Sequence, residues 1–115
     1  MASGSSFVTI SNENNDLITL AVEVWRLEKK INKIKLPKDN AQSINNTIGK
    51  IKAFLAKHKI EITDFTDMIF NDGLNVDVLA TSDEKKDKPI ISETIEPMVK
   101  YNGEIKKRAK VIVTK

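Results

Sequence analysis

Apolar residues in the first half of the chain recur at helical spacing, and in the second half they alternate. Leu17, Leu20, Val24, Leu27, Ile31 and Ile34 follow one another at steps of three and four, an a/d seam between about Asn12 and Lys35. Asn14, Asn15 or Asp16 is a candidate cap for this helix, and Pro37 closes it, because the residue before a proline avoids the helical region. A second seam follows "LPKDN": Ile44, Ile48, Ile51, Leu55 and His58 lie on one helical face, with Asp39 or Asn40 as candidate cap. Gly49 costs that helix about 1 kcal/mol relative to Ala. A short connection between two amphipathic helices makes them antiparallel neighbours.

After Lys59 the period becomes two. "NDG" at Asn71–Gly73 and "YNGE" at Tyr101–Glu104 are hairpin signals. Between them "LNVDVLA" and "PIISETI" read as strands, and "TSDEKKDK" as a solvated loop. The expected fold is therefore α+β. Residues 1–11 read as a flexible leader, 12–59 as an antiparallel helical hairpin that dimerises into a four-helix bundle, and 60–115 as a small antiparallel β domain. The dimerising side chains are Leu17, Leu20, Val24, Leu27, Ile31, Ile34, Ile44, Ile48, Ile51 and Leu55. A parallel in-register coiled coil is disfavoured, since Glu23 would face Glu28 and Lys30 would face Lys35. Trp25 lies at a b position outside the seam, so it is expected to bury itself either inside the chain or at a subunit contact.

The closing stretch, Ile95 to Lys115, poses a register problem. A two-residue turn at Asn102–Gly103 pairs Tyr101 with Glu104 and puts Ile95, Val99 and Tyr101 on the face opposite Ile105, Ala109 and Val111. Either a three-residue loop over Asn102–Glu104 or a bulge within Lys106–Arg108 repairs it, pairing Ile95 with Val111. Beyond the turn, Ile105, Ala109, Val111 and Val113 share one face while Lys106, Arg108 and Lys110 share the other. That period belongs to a strand with a basic outer face, not to a disordered basic tail.

Composition narrows the chemistry. The 115 residues are 40% hydrophobic, 30% charged and only 5% aromatic, which suits one small folded domain, or two very small ones sharing a core, built on aliphatics. The net charge of +3 is mild for a chain devoted to nucleic acid, and no aromatic residues interleave with the basic stripe. With no cysteine and a single histidine, His58, the chain offers no thiolate and no companion ligand for a zinc site. At a helix C-terminus His58 is expected to favour the dipole or pack at the seam. The acids of "NDG" and "TSDEKKDK" lack the ligand spacing of a calcium loop. No catalytic constellation or phosphate loop is present, so no enzyme activity, cofactor or metal is expected. No apolar run is long enough to span a membrane, and a cytoplasmic protein is expected.

The stretch "ETIEPMVKYNGEIKKRAKVIV" resembles the closing segment of the GrpE family, nucleotide-exchange factors for DnaK-type chaperones. Glu93, Pro97, Gly103, Ala109, Val111 and Val113 match that family's pattern, with Ile105 and Lys107 as conservative replacements. Upstream, "FNDGLNVDV" is similar through Phe70, Leu74 and Val78. The resemblance implies a β domain of GrpE type, a homodimer, and a surface that meets the nucleotide-binding domain of a DnaK-type ATPase. Glu104 and Val113 are the contact positions it implies, and Glu104 stands where the family has arginine. Strand parity adds Lys106, Arg108 and Lys110 as partner-binding residues. A small adaptor subunit of another bacterial assembly is the alternative, and a weak nucleic-acid binder using the basic face is a third.

Overall fold

A computed structural model describes residues 2–85 and 87–115, with side chains from Asn15 onward. The chain divides into two compact units, Met1–Glu61 and Ile62–Lys115. Two helices are followed by six strands: α1 Ala2–Lys33, α2 Lys38–Lys57, β1 Ile60–Thr63, β2 Val76–Ser82, β3 Ile90–Glu96, β4 Met98–Tyr101, β5 Glu104–Lys107 and β6 Ala109–Thr114.

In the first unit α1 begins at Ala2, so the segment read as a leader is helical backbone and Asn14–Asp16 lie inside the helix instead of capping it. The apolar spacing that marks a helix starts at Leu17, and the polar stretch before it contains no proline to stop the helix there. α2 is capped differently from the expectation. Pro37 occupies the N-cap at φ −53° and ψ 144°, no side chain caps the helix, and the Pro37 carbonyl accepts from Ala41 N–H at 2.9 Å. Asp39 sits in the first turn, where the helix dipole favours a negative charge. Lys52 Nζ reaches Glu28 across the two helices at 3.2 Å. His58, at the far end of α2, shares a groove with Leu17 and Leu20. The two contacts order the helices antiparallel.

The a/d seam needs correction. Ile18, Ala21, Val22, Val24 and Trp25 are buried, whereas Leu20, Leu27 and Ile34 are 40%, 43% and 55% exposed. Leu17 and Ile31 are half-buried. At 3.6 residues per turn, the row Ile18, Ala21, Val22 and Trp25 lies about half a turn from the row Leu20, Leu27 and Ile34. Among its described residues α1 therefore carries two apolar faces, one buried and one largely exposed. Trp25 takes its burial within the chain, with Lys29 Nζ 5.0 Å from its ring. On α2 the seam behaves as its spacing implies: Ile48 and Leu55 are buried, Ile44 and Ile51 half-buried.

The second half builds two three-stranded sheets, ordered β1-β4-β5 and β2-β6-β3. β2 runs parallel to β6, so the β unit is mixed and not wholly antiparallel. The reason lies at "NDG". Gly73 N–H bonds Asn71 Oδ1 at 2.8 Å in a local turn, but the segment before it supplies β1 to the other sheet, so no hairpin forms there. β2 then pairs with the last strand of the chain.

The closing register resolves as a bulge. Asn102 and Gly103 take φ of 53° and 83°, the left-handed pair that a two-residue type I′ turn needs. Tyr101 pairs with Glu104 and Lys100 with Ile105, but Val99 pairs with Lys107, which leaves Lys106 as the extra residue. Further along, Thr94 meets Val111 and Glu96 meets Lys110, so Ile95 falls in a second irregularity and does not pair with Val111. The slips restore one common inner face: Phe65, Val76, Ile91, Met98, Ala109, Val111 and Val113 form the core, with Phe70 and Leu74 against it. Ile105, on the far side of the bulge, is 37% exposed and leaves the face it shares by parity with Ala109. Thr94 is the buried polar residue of β3. Its hydroxyl accepts from Phe65 N–H at 3.2 Å and lies 3.0 Å from the Thr66 hydroxyl, so burial leaves no unmet bond there.

Candidate interaction surfaces

Two surfaces emerge, one in each unit. In the β unit, Glu104, Lys106, Arg108 and Lys110 are exposed on β5, on β6 and between them. The bulge at Lys106 and the break at Arg108 bring these side chains outward. Val113 is corrected: at 2% exposure it belongs to the core and offers nothing to a partner. Strand parity already placed it with Ala109 and Val111, and only the resemblance suggested contact.

The basic stripe is not a bare positive field. Lys106 Nζ lies 3.0 Å from Glu104 Oε2, and Arg108 Nε donates to Asp77 Oδ1 at 2.9 Å. Arg108 Nη2 also donates to the Val76 carbonyl at 3.0 Å, which ties the start of β6 to β2. Glu96, with a side chain only 15% exposed, draws Lys107 to 3.3 Å and Lys110 to 3.8 Å. Each basic residue of the stripe therefore has a carboxylate beside it, and the surface is a mosaic of both signs. Such a mosaic suits a protein surface of alternating charge better than a phosphate backbone, which rewards uncompensated cations.

In the helical unit, Leu20, Leu27 and Ile34 form a row seven residues apart. At its Leu20 end an open groove of about 330 Å³ is lined by Asp16, Leu17, Leu20 and His58. Phe54, 48% exposed, packs against His58 with ring centroids 4.4 Å apart and the ring planes tilted by 49°. His58 caps α2, its N–H donating to the carbonyls of Phe54 and Leu55 at 3.2 and 3.0 Å. Of the residues expected to dimerise, Val24, Ile48 and Leu55 are buried in the single chain and unavailable to a partner. What sequence reasoning missed is the division of labour between the two faces of α1. Trp25 at a b position was the signal for it.

Among the described residues no cluster of three or more His, Cys, Asp or Glu is placed to hold a metal ion, and no helix is long and apolar enough to cross a membrane. Comparison with protein-family models and with curated proteins returns no match.

Proposed function

We propose that this is a non-enzymatic, cytoplasmic interaction protein of GrpE-like form. Its helical unit pairs two copies, and its β unit presents the partner surface. The observation that supports this reading is the row Leu20, Leu27 and Ile34, exposed along a well-formed helix. The partner surface is the mosaic of Glu104, Lys106, Arg108 and Lys110. Its target is the nucleotide-binding domain of a DnaK-type ATPase. Tighter binding to the open form of that domain than to the closed form releases ADP, and the effect is no larger than that difference in affinity.

The test is release of fluorescent ADP from a DnaK-type chaperone of the same cell, with and without the full chain. The reading expects acceleration at micromolar concentration, lost when Lys106 and Arg108 are changed to Ala together. No acceleration overturns the exchange-factor role and leaves an adaptor for a different protein. The ion pairs around the stripe favour that second reading over nucleic acid.

A further inference from the structure

We propose that the end of the helical hairpin at the α1–α2 link seats on the surface of an anionic phospholipid bilayer. Lys30, Lys33, Lys35 and Lys38 face the headgroups, and Ile34 dips among them. Between Glu28 and Asp39 the chain reads "KKINKIKLPK", five lysines and no acid. Lys30, Lys33, Lys35 and Lys38 are exposed, and among the described residues none of these four makes an ion pair. Of the flanking acids, Glu28 is held by Lys52 at 3.2 Å, and Asp39 answers the dipole of α2 from its first turn. The β unit arranges the cations of its stripe in the opposite way, each beside a carboxylate. The link is a concentrated and uncompensated positive field, and it stands apart from the exchange-factor reading above.

What lies among the lysines selects the partner. Ile34, 55% exposed, falls about one turn after Lys30, and its N–H donates to the Ile31 carbonyl at 3.2 Å. The last turn of α1 therefore holds an apolar side chain among the cations. A bilayer interface rewards both features, the cations through its negative surface potential and the apolar side chain through burial at the headgroup boundary. A phosphate backbone rewards the cations alone. The patch also contains no arginine, and Arg26 just before it pairs with Glu23 at 3.0 Å. Lysine is a point charge that suits a diffuse negative surface, whereas close recognition of a single phosphate calls for the guanidinium fork. Clusters of about four to eight basic residues on an amphipathic helix are read as binding anionic lipid, and this patch falls in that range. Leu20 and Leu27 lie outside it, so lipid and a second copy overlap at Ile34 alone.

The test is co-sedimentation of the full chain with vesicles of phosphatidylcholine alone and of phosphatidylcholine mixed with phosphatidylserine. Binding is expected to the mixed vesicles and not to the neutral ones, and it should weaken as salt rises. Lys33→Gln with Lys35→Gln should weaken it roughly 25-fold, since each lysine near such a surface is worth about fivefold. Lys57→Gln with Lys88→Gln removes the same charge from exposed positions outside the patch and should change binding by less than about twofold. Ile34→Ser should weaken it roughly three- to tenfold. Equal loss from the two lysine pairs overturns the proposal, because binding then follows net charge and not the patch. Unchanged binding by Ile34→Ser removes the apolar contact and with it the choice of lipid. Failure to bind the mixed vesicles overturns the proposal outright, and tight binding to a DNA duplex instead reassigns the patch to nucleic acid. Sedimentation of the Lys33, Lys35 variant without lipid keeps the two readings apart, since its self-association is expected to persist while lipid binding is lost.

Discussion

The β unit and the helical unit spend their apolar residues differently. The β unit gathers branched aliphatics on one inner face: Ile91, Val111 and Val113 are buried there. Its exposed large apolar side chains are scattered: Met68 and Ile69 before "NDG", Val78 and Leu79 along edge strand β2, and Ile105 on β5. The helical unit instead leaves a straight row of large side chains open along one helix. A sheet face can be closed by shifting register, and this chain does so at Lys106, around Ile95, between Ile91 and Glu93, and between Val78 and Ala80. A helix with apolar residues on opposite sides has no such remedy and needs a second surface. The β unit thus closes a core by slipping register, while α1 carries its exposed apolar residues as one row.

The comparison breaks first at the core. Ile91→Ala removes a fully buried side chain and should destabilise the β unit by about 2–5 kcal/mol in urea unfolding, whatever the protein concentration. In the helical unit the expected dependence is reversed. Leu27→Asp changes an exposed side chain, so it should leave helix content at low concentration unchanged. The carboxylate it sets into the exposed row should weaken self-association by about a hundredfold, read by sedimentation. A smaller effect is expected at Thr94→Val. The Phe65 N–H loses its acceptor in a buried site, costing about 1–3 kcal/mol in the same urea titration. The smallest belongs to the basic stripe. Lys106→Ala should shift stability by less than about 1 kcal/mol, because its pair with Glu104 is exposed and screened. A clear effect on partner binding with so little on stability would mark Lys106 as a surface contact.

Much of this was legible in the residues, and the failures have physical causes. The helices followed from the steps of Leu17 to Ile34 and Ile44 to Leu55, because a period near 3.6 has no competing explanation at that length. The turn at Asn102–Gly103 followed from residues that tolerate positive φ, and a bulge within Lys106–Arg108 was one of two repairs the pattern offered, but the Ile95–Val111 pairing that went with it did not form. The pairing of β2 with β6 did not follow. "NDG" is a turn signal of short range, whereas strand partners are chosen by contacts far apart in the chain. The exposed row was concealed for a related reason. Spacing shows that Leu20 and Leu27 share a face, but not whether Trp25 and Ile18 will claim the interior first. Val113 was misplaced when a contact role implied by resemblance was set above the alternation that buries it.

The most direct measurement is sedimentation velocity of the unmodified full chain across a hundredfold range of concentration. The account predicts a monomer–dimer equilibrium that moves to dimer by micromolar concentration and reverts to monomer in Leu27→Asp. A single monomeric species throughout, unchanged by that substitution, would contradict it.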